Sequence, residues 1–161
     1  MSVMAQDGTV ARVTIRVSQS GADIAARLTL ARKAWEETDR TGLAFDEGIV
    51  RRGIERKIDR NYCLLQAEAG GEVVGMLMGV AAAHFHAPEL GASLLSWYVL
   101  PEHRGSLAAV KLLHGFRRWA RDRGAVRLYI GVTSGLDVAR TDRLLRRLGF
   151  RQTGGNYEAA L

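Results

Sequence analysis

One short segment combines the residue types that bind an anion at the start of a helix. Pro101 ends a run of strand-forming residues, a polar turn follows, and small residues then open a predicted helix. The turn and the first helical residues are Arg104, Gly105, Ser106, Leu107, Ala108 and Ala109. The first N–H groups of a helix have no intrahelical partner, and the helix dipole makes this end positive. With charge added by Arg104 and Lys111, the segment predicts a phosphate or diphosphate site; the alternative is an ordinary helix start packed on a sheet.

An acidic stretch stands out because the chain as a whole is basic, with a formal net charge of +6. Between Glu36 and Glu47, five acidic residues are accompanied by Arg40 alone. Glu37, Asp39 and Glu47 could therefore attract a cationic amine and help to deprotonate it. An ordinary solvated junction between two helices explains the same residues equally well.

Hydrophobic periodicity predicts the elements that must position these residues. The predicted strands are 12–17, 62–68, 73–85, 90–100 and 126–132, and the predicted helices are 22–40, 46–58, 106–123 and 138–148. A last hairpin is predicted from 150–153 and 157–161 around Gly154 and Gly155. Antiparallel strands in a meander, followed by alternating helices and strands, indicate an α+β fold with a mostly antiparallel sheet flanked by helices.

Length and composition favour one soluble domain. The 161 residues, 47% of them hydrophobic, suit a single domain spanning 1–161 with an ordered core from about residue 12. The longest mainly apolar stretch, 73–83, is shorter than the roughly 18 residues of a membrane helix, and residues 1–8 lack a secretion pattern. Cys63 is the single cysteine, so no intrachain disulfide can form. We expect a cytoplasmic protein without a metal site.

Two motifs resemble those of a known family. The strand 97–99, Pro101, Arg104-Gly105 and the small-residue helix start resemble the acetyl-CoA pyrophosphate loop of GNAT superfamily N-acetyltransferases. The segment 144–150 resembles the family's leucine-rich Gly-Phe ending, and the order of elements is similar from residue 12 to 161. The Arg-Gly-Ser-x-Ala-Ala loop and the Gly-Gly-Asn-Tyr end are closest to phage or prophage-type members.

This resemblance implies a GNAT-like fold that uses acetyl-CoA as co-substrate and transfers its acetyl group to a primary amine in a ternary complex. It implies that residues 104–109 bind the pyrophosphate and that the backbone of Trp97, Tyr98 and Val99 binds the pantetheine arm. Ser134 then lies near a further family contact to the cofactor. Leu107 replaces the middle glycine of the family loop. Leu145 replaces a tyrosine that often protonates the leaving thiolate, so that role has no direct counterpart here.

Tyr98 is the first candidate for proton transfer because its hydroxyl lies at the implied centre of the site. Ser96 projects from the same strand face and is a weaker candidate. A buried tyrosine with a satisfied hydroxyl, or a water chain to the acidic stretch, remains an alternative. His84 and His86 fall at a hairpin end, more than about 10 Å from this centre at the rise of a strand.

Two other functions stay open at this stage. The first is a basic module that binds nucleic acid through its arginine-rich helices, although the chain has no recognised DNA-binding motif. The second is a GNAT fold that binds CoA without turnover, because Leu145 lacks a hydroxyl. The acceptor is a small-molecule or peptide amine in the favoured interpretation, with no membrane or nucleic-acid partner, and the resemblance also allows a homodimer.

Overall fold

Strand-forming segments build a mixed sheet in the computed structural model, which describes residues 12–38, 42–58 and 61–159. The five strands in these ranges are β1 (Thr14–Val17), β2 (Tyr62–Ala69), β3 (Glu72–His84), β4 (Ala87–Val99) and β5 (Ala125–Ile130). They lie in sequence order across the sheet. The pairs from β1 to β4 are antiparallel and β4 pairs in parallel with β5. The predicted meander and the mostly antiparallel α+β sheet are confirmed.

The helices cover both faces of this sheet. Within the described ranges they are α1 (Gly21–Thr38), α2 (Glu47–Ile58), α3 (Ala108–Asp122) and α4 (Val138–Arg147). On one face, α3 and Leu145 of α4 belong to the main apolar cluster, which includes the fully buried Leu77, Leu112 and Phe116. On the other face, α1 and α2 pack on Leu64 in a separate cluster. The alternation of side chains along β2 and β3 therefore fills two cores at once.

The central helix α3 lies unusually close to the sheet because glycines leave room for it. A Cβ atom added to Gly79 of β3 would lie 2.2 Å from Cε2 of Phe116. A Cβ atom added to Gly115 of α3 would lie 2.9 Å from a methyl carbon of Leu65. Both distances are shorter than carbon atoms tolerate, so glycine at these positions sets the height of α3 above the sheet.

A buried polar cluster joins β1 to α1. Asp23, only 6% exposed, accepts bonds from both terminal nitrogens of Arg16 at 2.9 and 2.6 Å and from the backbone N–H of Gln19 at 2.7 Å. These donors hold the pKa of the Asp23 carboxyl well below its usual range. Arg27, 2% exposed, donates to the carbonyl oxygens of Leu65 and Leu77. Burial lowers the pKa of this guanidinium to about 10.

The predicted C-terminal hairpin is wrong for the residues that the structure describes. Residues 150–159 contain no strand, and every side chain from 151 to 159 is exposed. Phe150 packs against the main apolar cluster, and Gln152 accepts a bond from Nη2 of Arg146 at 3.3 Å. Further along, the side-chain amide of Asn156 donates to the carbonyl oxygen of Val132 at 3.2 Å. The residues beside the two adjacent glycines carry little apolar surface, so this segment has no face to bury. The glycine turn signal alone was therefore insufficient to predict a hairpin. Across the described ranges, no helix has the length and apolar character needed to cross a membrane.

Candidate active site

A gap opens in the sheet between β4 and β5. The two strands pair only from Leu90–Ala125 to Leu94–Ile130, although β4 continues to Val99. Leu94 is opposite Gly79 and Ser96 is opposite Met78 of β3, so Leu95 is an extra residue on β4. Such a β-bulge bends its strand and increases the local twist. The bulge therefore lies where β4 leaves β5.

The backbone of β4 beyond the bulge faces this gap. The N–H of Leu100 donates to the carbonyl oxygen of Val74 at 2.9 Å. Backbone groups alternate in direction along an antiparallel strand, so those of Trp97 and Val99 face away from β3. The carbonyl oxygen of Val99 accepts a bond from Nε of Arg104 at 3.0 Å. The N–H and C=O groups of Trp97 thus line the open edge of β4, where a ligand can pair with them.

A tight turn connects this edge to α3. A short 3₁₀ turn over Pro101–His103 ends β4, and Gly105 follows with a φ of +109°, a conformation that favours glycine. Leu107 is the N-cap of α3 and makes no side-chain cap bond. The hydroxyl of Ser106 accepts from the N–H of Ala108 at 3.2 Å, so Ser106 occupies one of the amides predicted to bind an anion. Leu107 is 61% exposed and Ala108 fully buried.

Arg104, Glu37 and Tyr98 form one hydrogen-bonded cluster, which we call the α1–turn cluster. Both terminal nitrogens of Arg104 donate to the Glu37 carboxylate, the second at 2.7 Å. The Tyr98 hydroxyl donates to the same carboxylate at 2.9 Å. Arg104, above all, lowers the pKa of Glu37, while burial followed by Glu37 raises the pKa of Tyr98 to about 12. The cluster joins the end of α1 to the turn before α3.

The charged side chains near the turn have different partners from those predicted from the sequence. Arg104 and Lys111 were both predicted to direct positive charge at an anion beside the turn. In the structure the Arg104 charge is paired with Glu37, and Nζ of Lys111 donates to the carbonyl oxygen of Val13 at 2.6 Å. Glu37 is likewise engaged within the protein rather than free to face a cationic amine.

Other carboxylates of the acidic stretch also form bonds within the protein. Glu47 pairs with Arg32 at 3.2 Å and with Arg51 at 3.5 Å. Asp46 accepts from the N–H of Ile49 at 2.8 Å, as expected of a residue at the start of α2. Asp39 lies outside the described residues. The stretch is therefore closer to the solvated helix junction that the sequence also allowed.

Other predicted site residues are distributed around the gap. Ser96 is half-buried on β4 just after the bulge. The ring of half-buried Trp97 packs against the main cluster, and its buried Nε1 has no hydrogen-bond partner among the described residues. Ser134 follows β5, and its hydroxyl accepts from the N–H of Leu136 at 3.3 Å. Leu145 is a core residue at 9% exposure, so the position of the family tyrosine is filled by packing.

Arg140 lies beside the Gly105 turn, a placement that its position in the sequence did not indicate. Its Nη2 atom lies 3.7 Å from the point that a Cβ of Gly105 would occupy. Arg140 sits in the first turn of α4, whose N-cap Asp137 accepts from the Arg140 N–H through its side chain. The topology of the sheet could have indicated that Arg140 lies near Gly105. Helices that follow two parallel, adjacent strands begin at the same edge of a sheet, so the starts of α3 and α4 are neighbours.

Two of the four histidines, His84 and His86, lie away from the gap. His84 and His86 are at the β3–β4 hairpin, where a shallow cavity of about 500 Å³ is lined by them with Phe85 and Tyr129. This placement agrees with the hairpin end predicted from spacing. Within the described part of the chain, no group of three or more His, Cys, Asp or Glu side chains could hold a metal ion.

Comparisons with solved structures identify the fold. AAC(6')-Iy, an aminoglycoside N-acetyltransferase, in complex with the bisubstrate analogue CoA-S-monomethyl-acetylneamine is 15% identical, with a TM-score of 0.76 over 94% of this chain and 99% of that one. An aminoglycoside acetyltransferase from an uncultured soil metagenomic sample is 19% identical, with a TM-score of 0.72 over 93% and 99%. The ribosomal-protein-alanine N-acetyltransferase of Brucella melitensis biovar Abortus 2308 is 17% identical, with a TM-score of 0.74 over 92% and 99%.

The sequence comparison adds a family assignment. No curated protein sequence matches the chain. Residues 28–150 match the sequence profile of the acetyltransferase (GNAT) family; this range begins within α1 and includes the α1–turn cluster and Leu145. A match over this much of the chain, combined with the sheet that opens between β4 and β5, shows that the protein belongs to the acetyltransferase (GNAT) family.

Proposed function

We propose that the protein transfers the acetyl group of acetyl-CoA to a primary amine by direct transfer in a ternary complex. The observation that carries this proposal is the gap between β4 and β5, which opens directly before the Gly105 turn and the start of α3. It offers backbone groups for a pantetheine arm and helix amides for a diphosphate along one continuous path. The solved neighbour AAC(6')-Iy, which has the same fold, binds CoA.

The residues at this path fit such a co-substrate. Gly105 has no side chain, and Ala108 and Ala109 project little from the start of α3, so a diphosphate can approach the helix amides. Ser106 reduces the number of free amides, and Leu107 adds an apolar group where the family has glycine. We propose that the backbone groups of Trp97 and Val99, which face away from β3, pair with the pantetheine arm, and that Tyr98 between them contributes its hydroxyl rather than its backbone. We propose that Ser134 lines the opposite side of the gap.

The reaction needs an amine that is neutral when it attacks the thioester carbon. A carbon–nitrogen bond forms and the carbon–sulfur bond breaks. The nitrogen, which becomes positively charged on attack, loses a proton, and the leaving thiolate gains one, through solvent or a side chain. Burial and Glu37 raise the pKa of Tyr98 to about 12, so its hydroxyl is protonated and is a weak acid. We propose that this hydroxyl turns its hydrogen bond from Glu37 to the developing charge. Ser96 is the second candidate for this role.

A covalent acyl-enzyme is not part of the proposal. Cys63 is 1% exposed within β2, and burial raises the pKa of its thiol to about 12. The thiolate is the nucleophilic form of cysteine, so Cys63 is unreactive at neutral pH. Direct attack by the acceptor amine remains the route.

The proposed acceptor is a small-molecule or peptide amine. The solved neighbours include enzymes for aminoglycosides and for a ribosomal protein, which are two such acceptors. We propose Glu37, Asp39 and Glu47 as the acidic contacts of the acceptor. Glu37 and Glu47 must give up their arginine partners before they can bind its amine. The similarity to phage-type members remains a prediction from the loop sequence, as does a single domain over residues 1–161.

Binding of nucleic acid is less well supported because several arginines of the basic helices have partners within the protein. Arg117 donates to the carbonyl oxygen of Leu148 at 2.8 Å, Arg123 stacks over Trp119, and Arg146 pairs with Asp142. A phosphate backbone would have to compete with these contacts. CoA binding without turnover is the stronger rival, because Leu145 is packed in the core.

A thiol-release assay with acetyl-CoA and a panel of amines tests the proposal. The panel should contain an aminoglycoside, a polyamine and an alanine-terminated peptide, with acetyl-CoA alone as the control for hydrolysis. Amine-dependent release of free CoA is expected, together with a rise in Tm on adding CoA. A rise in Tm without release for any amine would favour a CoA-binding protein without turnover. No rise in Tm and salt-sensitive DNA binding would contradict the enzyme assignment.

A further inference from the structure

The Gly105 turn has a single side chain close to its open face. Apart from chain neighbours, Nη2 of Arg140 is the only heavy atom of the described residues within 4 Å of the point where a Cβ of Gly105 would lie. Arg140 belongs to the first turn of α4, and the Gly105 turn leads into α3. Helix amides and a guanidinium therefore both lie close to this turn.

The other two cations near the turn are already engaged. Arg104 is paired with Glu37 and also bonds to the Val99 carbonyl oxygen, while Lys111 is bonded to the Val13 carbonyl oxygen. The side chain of Arg140 is exposed and, among the residues described, has neither an ion pair nor a hydrogen-bond partner. Arg140 can therefore bind an anion without breaking an existing bond. Arg104 would have to break its ion pair with Glu37 and its hydrogen bond to Val99.

We propose that Arg140 binds the diphosphate of CoA from the α4 side of the turn, together with the amides of α3. This inference rests on the proposed use of CoA and assigns the charged contact to Arg140 rather than to Arg104. A guanidinium presents paired N–H groups that match the oxygens of a phosphate, and Asp137 fixes the first turn of α4 on which it stands. Arg104 then holds the turn against β4 and α1.

Calorimetric titration with three ligands separates the phosphate groups. CoA carries the diphosphate and a 3′-phosphate, 3′-dephospho-CoA carries the diphosphate alone, and pantetheine carries neither. Arg140→Ala should weaken CoA and 3′-dephospho-CoA by the same factor, about tenfold for one charge-assisted contact at an exposed site, and leave pantetheine unchanged. Arg121→Ala removes the same charge from an exposed position at the far end of α3 and should change none of the three.

Each other outcome overturns a stated part of the idea. Equal affinity of Arg140→Ala and the unaltered protein for 3′-dephospho-CoA would show that Arg140 does not contact the diphosphate. A loss for CoA alone would move the contact to the 3′-phosphate and would equally refute the assignment. If the unaltered protein bound neither CoA nor 3′-dephospho-CoA, the proposed function would fail first and the Arg140 assignment with it.

Discussion

Replacement of Gly79 by alanine tests whether the close approach of α3 is required. The added methyl carbon would lie 2.2, 2.5 and 3.0 Å from three ring carbons of Phe116. Carbon atoms in contact lie about 3.5–4.0 Å apart, so the ring and the methyl must separate by more than about 1 Å. Phe116 is fully buried and α3 is held against Leu65 at Gly115, so neither can move freely.

The expected cost follows from this geometry. Forcing an extra methyl into a well-packed core costs about 1–3 kcal/mol, and the shortness of these contacts favours the upper end. At about 2–4 °C per kcal/mol for a chain of this size, Gly79→Ala should lower Tm by roughly 5–10 °C. Urea unfolding followed by circular dichroism measures the free energy of unfolding, and differential scanning calorimetry measures Tm.

Gly53→Ala is the matched control because it makes the same chemical change without a clash. Gly53 lies in α2, and a Cβ atom there would have no neighbour within 4 Å. Alanine is favoured over glycine inside a helix by about 0.5–1 kcal/mol, so this variant should be more stable than the unaltered protein. The two glycine replacements should therefore shift Tm in opposite directions.

A double-mutant cycle decides whether the Phe116 ring is the cause. Phe116→Leu alone should destabilise the protein by leaving a cavity, whereas Phe116→Leu combined with Gly79→Ala should cost less than the sum of the two. If the two costs add within about 0.5 kcal/mol, the methyl and the ring do not compete for space. That result, or a Gly79→Ala variant as stable as the unaltered protein, would refute the packing argument.

Three further changes probe the polar contacts. Asp23→Asn should cost about 1.5–3 kcal/mol at pH 7 through loss of the charged bond to Arg16. Because folding lowers the pKa of Asp23, the stability from this bond is present above about pH 4 and should shrink as the pH falls further. Urea unfolding of both proteins from pH 7 to 2.5 measures this change. Tyr98→Phe should lower kcat for thiol release about tenfold to a hundredfold while Ser96→Ala changes it little, and the reverse order would make Ser96 the donor. Asp137→Ala should lower the free energy of unfolding by about 1–2 kcal/mol, because Asp137 caps α4 with a positive φ of 38°. Asp137→Asn is the control that keeps the cap. Equal Tm values for the two variants in thermal unfolding would contradict this role.

Much of the fold could be predicted because local signals and burial agree. Proline at 101, glycine pairs at 70–71 and apolar spacing in α3 fix where elements begin and end, and the structure follows them closely. The C-terminal hairpin failed because Gly154 and Gly155 predict a turn but say nothing about whether flanking strands have a surface to pair with. Hairpin signals alone do not supply the long-range contacts of a sheet.

The site was predictable as a region but not as a set of contacts. The turn at Gly105 and the gap beside Trp97 lie where the resemblance implied. The partners of Arg104 did not follow from the sequence, because Glu37 lies 67 residues away and its approach depends on how α1 docks on β3 and β4. Arg140 was missed for the same reason, since its position beside Gly105 requires the parallel pairing of β4 with β5.

The α1–turn cluster links the two halves of the proposed site electrostatically. Glu37 stands at the end of α1, on the side proposed for the acceptor, and it neutralises Arg104 beside the turn proposed for the diphosphate. If an acceptor amine takes up Glu37, the cluster opens, and Arg104 keeps the bond from its Nε to the carbonyl oxygen of Val99. The Gly105 turn, which we propose to hold the diphosphate, then loses its connection to α1. Binding of the two substrates should therefore be coupled, and equal CoA affinity with and without a saturating amine in calorimetric titration would refute this link.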